Sequence, residues 1–215
     1  MEPTLKVNEI FLSLQGEGAR TGLPCVLVRL AGCNLRCRWC DTAYAWDEGR
    51  DMTLPAILGQ VAQFGCPRVE LTGGEPLLQP AAADLLQRFC QTGYETLVET
   101  NGSLDISALD ERIARILDIK CPSSGHCHAN RWDNLRCLRP RDEVKFVIAG
   151  RGDYEYARSV VQEHRLTGRA AIVFSPVREA LEPSTLAEWI LADKIDVRLG
   201  LQLHKILWPD KDRGV

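Results

Sequence analysis

Val26-Leu27-Val28-Arg29-Leu30 is a short, almost entirely apolar run that leads into Cys33-Asn34-Leu35-Arg36-Cys37-Arg38-Trp39-Cys40. A run of Val and Leu residues of this length favours a buried β-strand. The stretch that follows is too polar for a buried strand and is predicted to be a loop. The sequence therefore predicts a strand that delivers three cysteine side chains to one end of a sheet.

Similar apolar runs recur along the chain and alternate with segments of helical periodicity. The runs predicted as strands are Val26–Leu30, Arg68–Thr72, Thr96–Thr100, Ile116–Lys120, Val144–Ile148, Ala171–Ser175 and Val197–Leu203. The segments predicted as helices are Thr53–Phe64, Pro80–Gln91, Ile106–Ala114, Gly152–Leu166 and Thr185–Lys194. Largely continuous apolar runs are typical of parallel strands that are buried on both faces. The alternation predicts an α/β fold, either a full or partial (β/α) barrel or a doubly wound open sheet.

The overall composition predicts one globular domain over residues 1–215, with 45% hydrophobic and 26% charged residues. No run approaches the roughly 18 consecutive apolar residues of a membrane-spanning helix. Met1–Phe11 has neither the basic start nor the apolar stretch of a secretory signal, so we expect a cytoplasmic protein without a membrane partner. A net charge of -3 and the lack of a basic stripe argue against a nucleic-acid partner.

Of the nine cysteines, only Cys33, Cys37 and Cys40 are tightly clustered. In a cytosolic chain, clustered cysteines are more often metal ligands or reactive thiols than disulfides. A structural zinc site is normally closed by four ligands, and a four-iron cluster is usually held by four cysteines. Three cysteines therefore indicate an iron–sulfur cluster with one iron open to another ligand. Cys25 or Cys66 could supply a fourth thiolate, so a zinc site is the alternative.

Polar residues follow most of the predicted strands. They are Cys33, Thr72-Gly73-Gly74-Glu75, Glu99-Thr100-Asn101, Lys120, Ser175-Pro176 and His204. In parallel α/β folds, ligands bind at the edge where the carboxyl ends of the strands meet. The sequence therefore predicts a ligand site at this edge.

Two of these motifs resemble those of the radical S-adenosylmethionine superfamily. The loop of Cys33, Cys37 and Cys40, with Trp39 before the third cysteine, resembles its cluster-binding signature. Thr72–Pro76 is similar to its Gly-Gly-Glu-Pro motif and stands at the corresponding place after the second predicted strand. The resemblance implies a partial (β/α) barrel of about six parallel strands, with the cluster loop after the first. It also implies a 4Fe-4S cluster on the three cysteines and S-adenosylmethionine on the open iron.

The same resemblance implies which residues contact S-adenosylmethionine. Trp39 would lie near the adenine. Gly73 and Gly74 permit close backbone approach and Glu75 adds an acceptor, a combination suited to the ammonium group of an amino acid ligand. The remaining implied contacts are Glu99, Asn101, Lys120, Ser175, Pro176 and Val177.

Three further segments resemble one family within this superfamily, the 7-carboxy-7-deazaguanine synthases. They are Leu14-Gln15-Gly16-Glu17-Gly18 with Arg29–Cys33, Trp39-Cys40-Asp41-Thr42, and Gln202-Leu203-His204-Lys205. The resemblance implies a magnesium-dependent lyase in queuosine or other 7-deazapurine biosynthesis. This enzyme converts 6-carboxy-5,6,7,8-tetrahydropterin to 7-carboxy-7-deazaguanine with loss of ammonia. A homodimer and a flavodoxin-like electron donor are implied as well.

The resemblance also implies the substrate and magnesium contacts. A pterin edge needs hydrogen-bonding partners such as amides and carboxylates, and a substrate carboxylate favours a guanidinium. The implied substrate contacts are Leu14, Gln15, Gly16, Glu17, Arg29, Thr72 and His204. The magnesium ligand would be Thr42, with Asp41 beside it. One hydroxyl is enough because Mg²⁺ often takes only one or two ligands from protein.

The chain departs from the family pattern in two segments. After His204 the chain continues through Trp208–Val215, where some relatives stop sooner and bring a terminal carboxylate toward the substrate, so the role of Val215 is left open. Ile119–Gly125 replaces the Ser-Pro-Lys of some members, although Lys120 is kept.

Two alternative functions and two groups of side chains stay open at this stage. The alternatives are an activase that places a glycyl radical on a partner protein and a zinc-stabilised binding module. Lys145 and Lys205 are interpreted as solvated or structural charges. The thiols interpreted as incidental, with a secondary metal site as the alternative, are Cys121, Cys127 and Cys137, near His126 and His128.

Overall fold

The structure is a computed structural model that describes residues 2–215, so Met1, the first residue of the predicted domain, lies outside it. Its strands are β1 (Thr4–Leu14), β2 (Pro24–Leu30), β3 (Arg50–Thr53), β4 (Arg68–Gly73), β5 (Glu95–Thr100), β6 (Ala114–Ile119), β7 (Glu143–Ile148), β8 (Ala171–Pro176) and β9 (Arg198–Leu199). Its α-helices are α1 (Leu54–Ala62), α2 (Ala82–Gln91), α3 (Arg151–Glu163), α4 (Pro183–Asp193) and α5 (Leu203–Leu207).

All the strands belong to one sheet, in the order β3-β1-β2-β4-β5-β6-β7-β8-β9. From β2 through β4 to β9 every neighbouring pair is parallel, whereas β1 pairs antiparallel with both β2 and β3. The predicted α/β fold with a mostly parallel sheet is therefore confirmed. None of the helices in the described part of the chain combines the length and hydropathy needed to cross a bilayer.

Two predicted elements are wrong. Ile106–Ala114 is a series of turns that leads into β6, because Asp105 and Asp110 accept hydrogen bonds from backbone N–H groups two residues further on. Such local side-chain acceptors favour turns over helix. The predicted strand Val197–Leu203 is shortened to the two residues of β9.

The parallel strands are largely buried on both faces, as predicted, but the two faces differ in polarity. Successive strand residues point to opposite faces of a sheet. One face is apolar and packs in the same core as residues of α1, α2 and α3; fully buried examples are Val28, Leu71, Val98, Leu117 and Phe146. The opposite, inner face mixes apolar residues such as Leu27, Leu97 and Ile116 with a set of charged and polar side chains. These are Arg29, Glu70, Thr72, Glu99, Asp118, Glu143, Lys145 and Ser175.

Candidate active site

A cavity of about 630 Å³ lies against the inner face of the sheet, at the carboxyl ends of the strands. This volume is within the usual range for small-molecule sites. It is lined by all but one of the predicted site residues: Leu14, Gln15, Gly16, Glu17, Arg29, Cys33, Cys37, Trp39, Cys40, Thr42, Thr72, Gly73, Gly74, Glu99, Asn101, Lys120, Ser175, Pro176, Val177 and His204. The exception is Glu75. The fold thus brings together residues that are spread over most of the sequence.

The three clustered cysteines are half-buried at one side of this cavity. The Cys33 Sγ accepts a hydrogen bond from the backbone N–H of Leu35 at 3.4 Å, and the amide nitrogen of Asn101 lies 3.9 Å away. The Cys40 Sγ is 3.8 Å from the hydroxyl of Thr42. These donors can stabilise negative charge on sulfur, which is the form that binds iron.

Lys120 supplies a positive charge beside the same thiols. Burial raises the pKa of Cys33 and of Cys37, whereas the Lys120 ammonium lowers both. Burial alone would lower the pKa of Lys120, but the Asp118 carboxylate, 2.7 Å away, raises it above its usual value. Lys120 therefore stays cationic and favours the thiolate forms of Cys33 and Cys37.

The donor set fits a cluster better than a single ion. Among residues 2–215, no group of three His, Cys, Asp or Glu side chains is close enough to hold one metal ion. Cys33, Cys37 and Cys40 instead line one cavity without converging on a point, as expected where each sulfur binds a different iron.

The loop Gly73-Gly74-Glu75 packs directly on the start of the cluster loop. The backbone N–H of Gly74 donates to the carbonyl of Leu30 at 3.2 Å, and that of Glu75 donates to the carbonyl of Gly32 at 2.8 Å. A Cβ on Gly74 would lie 2.7 Å from the Cβ of Cys33. Only glycine therefore permits this approach of the two loops.

Glu75 is fully buried and links this loop to the end of β5 through hydrogen bonds. Its carboxylate accepts hydrogen bonds from the Thr100 hydroxyl at 2.9 Å, from the Asn101 backbone N–H at 2.7 Å and from the Leu77 backbone N–H at 3.0 Å. These contacts hold Asn101 beside the cysteine loop. Three protein donors already engage the carboxylate, which explains why Glu75 does not line the cavity.

The floor of the cavity is a buried network of charged and amide side chains. The Gln15 amide donates to Glu70, and the Lys145 ammonium contacts both Glu17 and Glu99, the latter at 2.9 Å. Burial raises the pKa of Glu70 to about 8, with a further contribution from Glu99. Burial also acts to raise the pKa of Glu99, but Lys145 outweighs it and the pKa of Glu99 is lowered.

Glu70 was not among the predicted site residues, and Lys145, predicted to be a solvated or structural charge, is a buried cation on the cavity floor. The available signal was a charged residue in the middle of an otherwise apolar strand. Such a residue costs free energy unless it faces a partner or a ligand. Asp118 shares this signal in β6.

His204 lies on α5 and covers the loop that follows β1. A Cβ at Gly16 would overlap the imidazole of His204, so glycine is required for this contact. The backbone N–H of Leu203 donates to the carbonyl of Gly16 at 2.8 Å and fixes the helix there. Burial lowers the pKa of His204, which favours the neutral imidazole at pH 7.

Asp41 is tied to the C-terminal part of the chain. Its Oδ2 accepts hydrogen bonds from Gln202 at 3.0 Å and from Lys205 at 2.8 Å. Burial alone would raise the pKa of Asp41, but Lys205 and Gln202 lower it to about 2. Lys205 is therefore a structural charge, and both Asp41 and the neighbouring Thr42 line the cavity.

The C-terminal segment also returns to the cavity, where Asp212 and Val215 contribute to its lining. Arg213 anchors it, since its guanidinium donates to Glu48 at 2.8 Å and lies 4.2 Å from the centre of the Tyr44 ring. Val215, whose role the sequence left open, is thus placed at the site.

Comparison with known proteins agrees with this geometry. A model of the radical SAM superfamily matches residues 27–162. The chain is 42% identical over 226 residues to the 7-carboxy-7-deazaguanine synthase of Koribacter versatilis, covering 98% of this chain and 100% of that protein. It is 46% identical over 219 residues to the synthase of Chlorobaculum tepidum, covering 100% and 99%.

A solved structure supports the fold independently. The crystal structure of QueE from Escherichia coli matches with a TM-score of 0.77 and 22% identity, covering 93% of this chain and 94% of that one. Neither the activase nor the zinc-stabilised module is favoured by these relatives. The chain is a radical SAM enzyme, whose superfamily implies a 4Fe-4S cluster and S-adenosylmethionine, and it belongs to the 7-carboxy-7-deazaguanine synthase family.

Proposed function

We propose that this chain converts 6-carboxy-5,6,7,8-tetrahydropterin to 7-carboxy-7-deazaguanine with loss of ammonia, as a magnesium-dependent lyase. One observation carries the proposal. A single cavity is lined by the three cysteines and the glycine loop and also by Arg29 and the Gln15–Glu17 loop. A cofactor and a small polar substrate would therefore be bound side by side.

Cys33, Cys37 and Cys40 would hold the cluster, and its open iron would take S-adenosylmethionine. When bound, the two supply the one-electron chemistry that starts a radical reaction on the substrate. The protein's part is to position the ligands and exclude water. Further S-adenosylmethionine contacts would come from Trp39, Gly73, Gly74, Glu99, Asn101, Lys120, Ser175, Pro176 and Val177, with Glu75 supporting the loop.

The substrate would lie between the cavity floor and α5. Glu17 and Gln15 would offer acceptors and donors to the pterin edge, and Thr72 a hydroxyl. Arg29 would pair with the substrate carboxylate through its two terminal amino groups. His204, held neutral by burial, would close the cavity with a group that can both donate and accept a hydrogen bond.

Magnesium would bind at the Thr42 hydroxyl, with water and substrate oxygens as the other ligands. We expect Thr42→Ala to lower product formation roughly tenfold, as expected when one group bound to a charged partner is lost. Cleavage of S-adenosylmethionine should persist. Product formation measured against magnesium concentration tests this, and an unchanged magnesium response would exclude Thr42 as a ligand.

A second copy of the chain is proposed to cover the β9 end of the sheet, where apolar side chains are exposed. These are Leu191, Leu199, Leu201, Ile206 and Leu207. Exposed apolar patches of this kind often mark protein interfaces. A flavodoxin-like donor with acidic side chains on its contact surface would be attracted by Arg36 and Arg38, which are exposed within the cluster loop. These partners and a cytoplasmic location complete the proposal.

An anaerobic assay tests the main proposal. Protein purified and reconstituted without oxygen is incubated with carboxytetrahydropterin, S-adenosylmethionine, magnesium and a reductant. The expected result is four irons per chain and formation of 7-carboxy-7-deazaguanine without any protein substrate. An iron-free protein with one tightly bound zinc, or a loaded enzyme that leaves the pterin unchanged, would contradict it.

A further inference from the structure

Arg29 is held by the carboxylate of Glu9, a residue to which the proposed function gives no role. Its Nε donates to the Oε1 of Glu9 at 2.8 Å, and the two side chains are only 12% and 17% exposed. Among residues 2–215, this is the one hydrogen bond that the Arg29 guanidinium makes to another protein group. Neither of its terminal amino groups has an acceptor within hydrogen-bond distance in the described part of the chain.

A β-bulge in β1 places Glu9 opposite Arg29. Val7 pairs with Leu30 and Glu9 pairs with Arg29, so Asn8 is an extra residue in β1, a β-bulge. Bulges re-aim side chains and are frequent beside functional sites. The Asn8 side chain donates to the Glu48 carbonyl at 2.7 Å, which fixes the bulge in place.

Tyr44 completes the arrangement from the segment that follows the cluster loop. Its hydroxyl donates to the same Oε1 of Glu9 at 3.0 Å, and its ring centre lies 5.9 Å from the Arg29 guanidinium carbon. Burial alone would lower the pKa of Arg29, but Tyr44 and Glu9 raise it, so Arg29 stays charged. One carboxylate oxygen thus receives a donor from each neighbour.

We propose that Glu9 and Tyr44 are positioning residues that hold the Arg29 guanidinium by its Nε edge and leave its two terminal amino groups for the carboxylate of the substrate. A guanidinium can make a bidentate pair with one carboxylate only when both donors on that edge are free and correctly oriented. This inference rests on the proposed function, because it assumes that the substrate carboxylate pairs with Arg29.

Positioning can be distinguished from simple charge neutralisation. A carboxylate that merely neutralised Arg29 would compete with the substrate, and any loss of its charge would tighten binding. A positioning residue acts through the acceptor oxygen, which an amide also provides. Glu9→Gln should therefore bind substrate as tightly as the unchanged protein or more tightly, whereas Glu9→Ala should bind it more weakly.

The test measures dissociation constants on anaerobic enzyme loaded with cluster and S-adenosylmethionine. The probes are 6-carboxytetrahydropterin and tetrahydropterin without the carboxylate. For Glu9→Ala we expect the constant for the carboxylated pterin to rise roughly three- to tenfold, the cost of ordering one freed side chain. The constant for the other pterin should not change. Tyr44→Phe, which keeps the ring, should show roughly a twofold rise of the same kind.

Glu2→Ala is the control, since Glu2 pairs with Arg88 at 3.3 Å on the surface and should change neither constant. Tighter binding in both Glu9 variants would overturn the inference, as would equal weakening for both pterins. If Glu9→Ala does not fold, Tyr44→Phe decides between the same outcomes. Failure of the unchanged protein to bind either pterin would instead count against the proposed function.

Discussion

The two faces of one sheet differ more than any two elements of this protein. On β7, Phe146 is fully buried in the apolar core, whereas the preceding residue, Lys145, reaches into a network of carboxylates. The apolar face stabilises the fold because its side chains leave water for other apolar groups. The inner face places charges where a ligand can meet them. The same strands therefore provide stability on one face and a binding surface on the other.

The largest expected difference between the faces is in activity. Cys37→Ala, at the cavity, should abolish both the cluster and turnover, because three cysteines are the minimum for the proposed cluster. Cys90→Ala, on α2 in the apolar core, should leave both intact. Iron content, the visible absorption of the cluster and product formation measure the two variants. Loss of the cluster in Cys90→Ala would contradict this division of roles between the two faces.

The next effect is on stability and belongs to the apolar face. Phe146→Ala removes a ring that packs edge-to-face on Phe174 at 5.5 Å between centroids. We expect the free energy of unfolding to fall by about 3–5 kcal/mol, as for other large-to-small core substitutions. Urea denaturation measures it. A loss below about 1 kcal/mol, the level of many surface changes, would show that this face is not the stabilising one.

On the inner face, Lys145→Met leaves Glu17 and Glu99 without their cation. Breaking a buried ion pair by removing one partner costs about 3 kcal/mol or more. The cost should be smaller at pH 5 than at pH 7.5, because burial acts to raise the pKa of Glu99 and, without Lys145 to lower it, that carboxylate more readily takes up a proton. Urea denaturation at both pH values tests this. Arg131→Met, which breaks an exposed pair with Asp105, should change stability little at either pH.

The smallest expected effect is a change in pH dependence at Glu70. Its pKa is raised to about 8, so the native state keeps a proton that the unfolded chain releases at lower pH. Stability should therefore fall as pH rises from about 4.5 to about 8. Glu70→Gln keeps an acceptor for Gln15 but has no carboxyl group to titrate. Relative to the unchanged protein, its free energy of unfolding should therefore rise by on the order of 1–3 kcal/mol between pH 5 and pH 8.

Glu95→Gln is the matched control for this titration. Arg68 and Arg20 lower the pKa of Glu95 even though burial acts to raise it. Its contribution to stability is therefore present above the unfolded pKa and is lost as pH falls through the folded pKa. Glu70→Gln should diverge from the unchanged protein between pH 5 and pH 8, whereas Glu95→Gln should keep a constant offset there and change only below about pH 4.5. Parallel stability curves for Glu70→Gln and the unchanged protein would contradict the assignment of a protonated Glu70.

Several parts of this site could be read from the chain because they are local. The spacing of Cys33, Cys37 and Cys40 is a local feature of the sequence, and so is the Gly73-Gly74 pair at the end of β4. Apolar runs also locate the parallel strands, because the apolar residues of a strand themselves indicate that it is buried. The short β9 and the turns at Ile106–Ala114 were less predictable, since neighbours and local acceptors decide them.

The parallel α/β sheet, the cysteine loop and the set of residues at the ends of the strands follow from the sequence alone. That Lys145 joins Glu17 to Glu99, that Glu75 is enclosed and that Glu9 holds Arg29 follows only from the fold. These contacts join residues far apart in the chain, and their partners depend on strand order and on a β-bulge. The reason is physical: periodicity reports which face a side chain is on, whereas pairing across that face depends on the fold that assembles it.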